Sequence, residues 1–405
     1  MKLVLFDGNL ETMKPITYGK SSCDTLCGGK KIIEHILPHF EKEYNHTILT
    51  SKELIDLTKL RNPKVEVTES NEEESLYYNV SVFPFKEITK KIEGLKINEV
   101  LTYNDRIICG RYNGRVTLFT IEKELSKLKK IELKLKEKPI ILDYPWDLVS
   151  HNSNLIKSNF KEIPEPKGEI DDNAFIIGNP KQIYIGENSV VEPGAILDVR
   201  KGPIIIENDS FVHGHSRIEG PVYIGKNCII GGAETAILHK GTCIGDVCKI
   251  GGEVEETIIH EFTNKAHFGF LGHSVVGSWV NIGAGATNSD IKSNYGEVKV
   301  EHISTGDKIK AGKFIGTAIG DHSKISILSR IMTGKQIGYC SVIGGTIRSN
   351  IPSFRFYHEG NDKLDVFRKD KAIEMVKSMM GRRKKFISKD YINAQLDLLD
   401  VLYRD

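Results

Sequence analysis

Residues 204–232 read IIIENDSFVHGHSRIEGPVYIGKNCIIGG, and an aliphatic residue returns at every sixth position of this stretch. The recurring positions are Ile206, Val212, Ile218, Ile224 and Ile230, and a second run of the same period is Ile319, Ile325, Ile331, Ile337 and Ile343. A period of six fits neither an α-helix nor a half-buried strand. It is typical of a parallel β-helix, in which each hexapeptide forms one face of a three-sided rod and its aliphatic residue points inward.

The composition narrows the class of protein. The 405 residues include 56 basic and 54 acidic side chains, and a formal net charge of +2 gives no sign of a general nucleic-acid or membrane surface. The opening MKLVLFDGN becomes polar too early for a signal peptide, and no apolar run is long enough to cross a bilayer. Seven scattered cysteines without a CxxC pair argue against a zinc site and favour a reducing, cytoplasmic location.

The pattern divides the chain into four segments. Strand-like and helix-like stretches alternate in residues 1–158, which predicts an α/β domain. Prolines and charges make 159–172 a linker, and the hexapeptide repeats occupy 173–350 with breaks at 260–266 and near 288–310. Apolar residues at helical spacing in 351–405 predict helices that cap the rod or pack between subunits.

Two motifs in the repeats resemble a known family. The stretch KAHFGFLGHSVVGSWVNIGAGATNSD (265–290), followed by SNYG (293–296), resembles the acetyltransferase half of the GlmU-like bifunctional enzymes that make UDP-N-acetylglucosamine. GDHSKISILSRIMTG (320–334) resembles a branch of that family found in some bacteria and archaea. The resemblance implies a left-handed β-helix, a homotrimer with the acetyl-CoA groove between neighbouring rods, and an amino-sugar phosphate as acceptor.

The resemblance also implies roles for individual residues of the repeats. His267 matches the catalytic histidine, and an imidazole can accept a proton near neutral pH. Asn281 matches the asparagine near the substrate amine, while Gly283 and Ala284 match the coenzyme A groove. Phe270 stands where the family has a tyrosine, and Glu255 stands where it has a substrate lysine. The resemblance implies that four residues bind the substrate: Phe270, Asn294, Tyr295 and Lys299.

The first domain resembles the sugar-1-phosphate nucleotidyltransferase half of the same family, with a Rossmann-like fold. LFDGNLETMKPITYGKSSCDTLCGGKKIIEHIL (5–37) matches the opening signature at its end but not in its catalytic part. Leu10 and Glu11 replace glycine and threonine of the phosphate-binding loop, and Glu11 would repel phosphates. Thr12 and Ser22 replace an arginine and a lysine that neutralise the triphosphate. Four residues could still form a nucleotide site: Lys14, Lys20, Gly28 and Gly29.

Two interpretations of this domain remain open. It either transfers a nucleotide from UTP or dTTP with an altered site and Mg²⁺, or it has become a binding or oligomerisation module. For the whole chain we expect acetyl-CoA-dependent N-acetylation of an amino-sugar 1-phosphate, with glucosamine-1-phosphate the leading acceptor. The alternatives are a nucleotidyltransferase that has lost acetylation and a non-catalytic hexapeptide scaffold.

Several candidate residues also have simpler structural interpretations. Asn281 could belong to a hydrogen-bonded asparagine ladder, and Phe270 could be an inward repeat residue. His273 could orient His267 or line its cleft, and His322 could be a turn residue. The pair His213 and His215 is a weak candidate for metal binding, because residues two apart on a strand share a face.

Overall fold

The computed structural model describes residues 1–40, 44–232, 234–360 and 364–404. The remaining positions of the predicted segments lie outside the described residues: 41–43 in the α/β domain, Ala233 in the repeats, and 361–363 and Asp405 in the helical extension. Within the described part, the expected fold class is confirmed, because an α/β domain is followed by a three-sided parallel β-helix and two C-terminal helices.

The first domain is built on a seven-stranded mixed sheet. The strand Lys2–Phe6 pairs in parallel with Asn45–Leu49 on one side and with Ser75–Asn79 on the other, so the carboxyl ends of these three strands meet at one edge. In spatial order the strands are Lys129–Glu132, Glu99–Tyr103, Arg106–Tyr112, Ser75–Asn79, Lys2–Phe6, Asn45–Leu49 and Glu66–Thr68. The helices are α1 (Ile32–Ile36), α2 (Ile55–Arg61), α3 (Lys86–Glu93), α4 (Ile121–Ser126) and α5 (Pro145–Asn159), and two short pairs join Leu26–Cys27 to Lys30–Lys31 and Ser70–Asn71 to Val116–Thr117.

Short parallel strands form the three faces of the rod, which the chain visits in the order 1, 2, 3. Face 1 comprises Glu169–Ile170, Val190–Val191, Phe211–Val212, Ile229–Ile230, Lys249–Ile250, Asn264–Lys265, Asn281–Ile282, Lys324–Ile325, Val342–Ile343 and Arg355–Tyr357. Face 2 comprises Phe175–Ile177, Ile196–Asp198, Arg217–Glu219, Ala236–Leu238, Gly252–Glu255, Phe270–Gly272, Thr287–Asn288, Arg330–Ile331 and Thr346–Ile347. Face 3 comprises Ile183–Ile185, Ile204–Ile206, Val222–Ile224, Thr242–Ile244, Ile258–Ile259, Val275–Val276, Ala318–Ile319 and Gln336–Ile337.

Stacked aliphatic side chains fill the interior of the rod, as the period of six predicts. One exception concerns Phe270. Leu271 lies in register with Val254 and is buried, whereas Phe270 pairs with Glu253 and is only half-buried. The interpretation of Phe270 as an inward repeat residue is therefore wrong, because the chain reaches this strand one residue out of phase.

The break near 288–310 is a β-hairpin that leaves the rod. Its strands are Val298–Glu301 and Lys308–Gly312, and its tip reaches the first domain. Val298 and Val300 pack with Ile315 and with Trp146 at the start of α5. The hairpin thus adds an apolar contact between the rod and the first domain, beside the contacts that α5 makes with four strands of face 3.

The C-terminal helices, α6 (Lys369–Gly381) and α7 (Lys389–Leu402), lie in the angle between the two domains. They pack on the rod around Trp279, and α7 also contacts Leu54 and Leu57 of the first domain. The two helices connect the rod to the first domain within one chain. They therefore do not lie at the end of the rod, where a cap was predicted. The last coil strand, Arg355–Tyr357, pairs with the antiparallel strand Asp365–Val366.

The rod is longer than its predicted bounds of 173–350. Its first strand, Glu169–Ile170, lies inside the stretch predicted as a linker, and its last parallel strand, Arg355–Tyr357, lies inside the predicted helical extension. The first strand was missed because prolines and charges surround its inward residue, Ile170, and the last because Tyr357 replaces an aliphatic residue at its inward position.

Candidate active site

His267 lies at the corner between faces 1 and 2. The strand Asn264–Lys265 ends just before it and Phe270–Gly272 begins just after it, so the imidazole projects from an edge of the rod and is exposed. The backbone at this corner is held from inside, because the Lys265 ammonium donates hydrogen bonds to the carbonyls of His267 at 3.1 Å and Gly251 at 2.7 Å. The corner is therefore fixed while the His267 ring stays open to a ligand.

Lys265 itself breaks the pattern of the repeats. It pairs with Ile250 on the preceding coil and is only 1% exposed, so a lysine occupies a position that an aliphatic residue holds elsewhere. Burial lowers the pKa of Lys265 to about 8. The sequence contained one indication of this role. Lys265 stands at an inward position of the period-six pattern, where a buried ammonium needs carbonyl groups as hydrogen-bond partners.

Exposed apolar side chains flank His267. Phe268, Ile327 and Leu328 are 52%, 67% and 65% exposed, and we call these three residues the apolar edge. A Cβ atom on Gly285 would lie 2.6 Å from the Leu328 side chain and 3.0 Å from that of Phe268. Glycine at 285 therefore lets the two side chains approach each other beside His267.

The predicted coenzyme A residues lie on the coil that follows His267. The Gly283 N–H donates to the Ile325 carbonyl at 2.8 Å, and the Ala284 carbonyl accepts from the Leu328 N–H at 2.8 Å. Both groups are thus engaged in stacking the coils. Asn281 accepts a hydrogen bond from Asn264 at 2.9 Å, which is the asparagine ladder expected from its structural interpretation.

The remaining predicted substrate residues lie past the opposite end of face 2. Asn294 and Tyr295 follow the strand Thr287–Asn288, and Tyr295 is 68% exposed with the Lys313 ammonium 5.5 Å from its ring centroid. Lys299 is exposed on the first strand of the hairpin. One chain therefore does not bring these residues beside His267, because a strand of face 2 separates the two groups.

His273 belongs to this second group and does not orient His267. Its Nδ1 atom lies 2.8 Å from the Asp290 carboxylate, and its ring stacks on Phe314 with 5.1 Å between centroids. The sequence analysis did not predict Asp290 as the partner of His273, because the family motif points to Asn294 and Tyr295 instead. His213 likewise has a carboxylate partner, with its Nδ1 atom 3.2 Å from Glu192.

A cleft of about 640 Å³ opens beyond the carboxyl ends of the central strands in the first domain. Glu11, Lys14 and Ser51 line it on one side, and Arg355 and Arg404 of the C-terminal segment line it on the other. Ligands of open α/β sheets bind at this edge. Lys14 reaches the cleft, but its ammonium lies 2.7 Å from the Glu11 carboxylate.

The hairpin tip occupies the neighbourhood of the altered phosphate loop. Ser304 donates to Glu11 at 2.7 Å, and His302 Nε2 lies 2.8 Å from the Thr12 carbonyl. Although burial acts to raise the pKa of Glu11, hydrogen bonds from Lys14 and Ser304 hold it below its usual range. Glu11 is therefore held as a charged carboxylate by Lys14 and Ser304, in the loop that the sequence resemblance assigns to phosphate binding.

Lys20, Gly28 and Gly29 face the rod or α5. The Lys20 ammonium, 1% exposed, donates to Ser278 at 2.8 Å and to Asp321 at 2.9 Å. A Cβ atom on Gly28 would lie 2.4 Å from that of Leu155 in α5, and one on Gly29 would lie 2.6 Å from the Tyr223 ring. The structure therefore places Lys20 and Gly29 against the rod and Gly28 against α5 of its own domain, so all three pack against protein.

Asp7, at the start of the altered loop, provides a pH-dependent test of this region. Burial raises its pKa from 3.8 to about 7, against the opposing hydrogen bond from Ser21. Between these values the folded state holds more protons than the unfolded state, so stability falls as pH rises through this window. We expect Asp7→Asn to flatten this dependence and to stabilise the protein at pH 8 by on the order of 2 kcal/mol. Denaturation midpoints from pH 4 to pH 8 check it, and equal slopes in both proteins contradict it.

Comparisons with known proteins find one family model and a group of curated relatives. Residues 3–166 match the sugar nucleotidyl transferase family model. The chain is 29% identical over 248 residues to a bifunctional protein GlmU of Methanococcus maripaludis strain C5, a match that covers 61% of this chain and 53% of the relative. A GlmU protein of strain S2 is 25% identical over 410 residues, covering 84% of this chain and 92% of the relative. The resemblance drawn from the sequence motifs is thus confirmed.

The chain spans about half the length of the first curated relatives it matches. Among solved structures, an Arabidopsis UDP-N-acetylglucosamine acyltransferase aligns over 56% of this chain and 86% of its own, with 12% identity and a TM-score of 0.22. No helix within the described residues is long and apolar enough to cross a membrane. The same residues contain no group of three or more His, Cys, Asp or Glu side chains placed to hold a metal ion.

Proposed function

We propose that the rod transfers an acetyl group from acetyl-CoA to the amine of an amino-sugar phosphate, with glucosamine-1-phosphate the leading acceptor. The observation that supports this most is the open imidazole of His267 beside the apolar edge, on a corner held by Lys265. An exposed base next to apolar surface can accept a proton while a thioester-bearing arm lies along the edge. The match to GlmU proteins supports the same reaction class.

The proposed reaction uses one proton acceptor. The acceptor amine attacks the thioester carbonyl carbon, a C–N bond forms, and the C–S bond breaks to release the coenzyme A thiol. His267 takes the proton that the amine loses and passes it to the leaving sulfur or to solvent. Lys265 acts as a positioning residue, because it binds the His267 carbonyl from inside the rod.

We extend the proposal to a homotrimer with the site between neighbouring rods. The apolar edge forms only one side of the proposed site. Asn294, Tyr295 and Lys299 lie past the end of face 2 that is opposite to His267. A second copy packed against the edge would cover it and could bring such residues to His267. Apolar side chains exposed together are typical of an interaction surface.

Thiol release from acetyl-CoA, measured on the full chain with a panel of amino-sugar phosphates, tests the proposed reaction. We expect turnover with glucosamine-1-phosphate above that with glucosamine-6-phosphate and free glucosamine. Silence across the panel, with no nucleotide consumed in a parallel assay, contradicts the enzyme and favours the hexapeptide scaffold.

The second candidate is nucleotidyl transfer by the first domain, which the family match over residues 3–166 and the cleft at the sheet edge both favour. Against it stands Glu11, held beside Lys14 where incoming phosphates would need positive charge. Pyrophosphate release from UTP or dTTP with a sugar-1-phosphate, measured with Mg²⁺ on the full chain, tests nucleotidyl transfer independently of acetyl transfer.

A further inference from the structure

A second pocket, of about 340 Å³, lies where the end of α5, the following linker and the first coils of the rod meet. Its charged lining is entirely basic and consists of Lys157, Lys161, Lys181, Arg200 and Lys201. The pocket opens near the corner between faces 2 and 3, at the start of the rod. The pocket is therefore separate from His267, which lies at a different corner of the rod and several coils later.

Little in this part of the structure neutralises the basic charge. Arg200 has a partner, because its guanidinium lies 2.6 Å from Asp198, and Asp198 is also within 3.1 Å of Arg217. In the part of the chain that the structure describes, the four lysines of the pocket make no ion pair, and no carboxylate lines it. Like charges gathered in a concave site concentrate a positive field that attracts an anion.

Local structure explains the position of one of these four lysines, but it does not explain why all four lie together. Lys157 lies in the last turn of α5, where a cation is favourable beside the free carbonyls of the helix end. Lys161, Lys181 and Lys201 come from the linker, a short 3₁₀ turn and a corner of the second coil. Segments far apart in sequence thus converge on one pocket.

Gly202 shapes the pocket. A Cβ atom at this position would lie 3.1 Å from Cε of Lys157 and 2.9 Å from the Pro221 ring. Glycine therefore leaves room for the Lys157 side chain to cross the corner. Phe160 adds a partly buried aromatic ring to the lining, stacked on Tyr223 with 5.7 Å between centroids.

We propose that this pocket binds the diphosphate group of a small metabolite. A volume of about 340 Å³ is within the range of small-molecule sites, and several ammonium groups match the charge of a diphosphate better than that of a single carboxylate. The Phe160 ring offers a contact to a nucleoside attached to that diphosphate. The site is separate from the acetyl-transfer site and from the cleft of the first domain.

Calorimetric titration of the full chain at low salt tests the proposal, with inorganic pyrophosphate and UDP as probes. We expect both to bind, and Lys161→Gln/Lys201→Gln to weaken binding about tenfold, which is about 1.4 kcal/mol. Tighter binding of UDP than of pyrophosphate assigns the ligand to a nucleoside diphosphate, and equal binding assigns recognition to the diphosphate alone.

The matched control is Lys86→Gln/Lys90→Gln, which removes the same charge from exposed positions on α3. This control should bind both probes as the unmodified protein does, and the melting temperatures of all three proteins should agree. Absence of binding at millimolar probe concentration overturns the proposal. Unchanged affinity in the Lys161→Gln/Lys201→Gln protein does so too, because the probe then binds elsewhere.

Discussion

Replacement of His267 by alanine is expected to lower the rate of acetyl transfer by about 10²–10⁴-fold, the usual contribution of a general base. The side chain is exposed and makes no side-chain hydrogen bond in the described structure, so its removal leaves the coil packing unchanged. Thiol release under saturating acetyl-CoA measures the effect, and a melting curve shows that the fold is retained.

The control for this variant is His358→Ala. His358 is also exposed and lies at a later corner of the rod, near Gly344. It should retain full activity. Normal turnover in the His267→Ala protein removes the proposed mechanism, whereas loss of turnover in both variants points to a general effect of altering the rod.

Replacement of Lys20 by methionine is expected to destabilise the chain by about 3–5 kcal/mol, because it leaves the Asp321 carboxylate buried without its counter-ion. Asp321 is fully buried and would keep only the Ser278 N–H, at 2.8 Å, as a donor to Oδ1. The free energy of unfolding in urea measures the effect.

Two further variants make this result specific. Lys20→Met/Asp321→Leu removes both charges and should recover most of the lost stability, since an apolar pair can replace a buried ion pair. Lys371→Met breaks an exposed pair with Glu374, at 2.8 Å on the surface of α6, and should change stability by about 0.5 kcal/mol or less. An equal cost for Lys20→Met and Lys371→Met contradicts the role assigned to the buried pair.

The sequence was most informative about the rod, because a single local rule governs each coil. One aliphatic residue per face has to point inward, so the period of six identified the faces and most of their core positions. The rule failed where the chain departs from it for a local reason. Phe270 lies outward because the strand is shifted by one residue, and Lys265 lies inward because its ammonium binds two carbonyls.

The sequence could not predict the contacts between the domains. Lys20 meets Asp321, and Ser304 meets Glu11, across roughly three hundred residues of chain, and no periodicity encodes such distant pairs. This is why Lys20 was expected in a nucleotide site although the structure buries it at an interface. The motif predicts His267 as the catalytic residue, and the structure adds that the strand Phe270–Gly272 lies between His267 and His273.

The last coil of the rod carries a consequence for how copies of this chain behave in solution. A parallel β-helix could in principle grow end to end, since its final coil presents unpaired N–H and C=O groups to any similar strand. Here Asp365–Val366 runs against Arg355–Tyr357 and takes up that bonding edge. On face 1, a coil of another copy would therefore meet an antiparallel strand and not the open edge of a parallel coil.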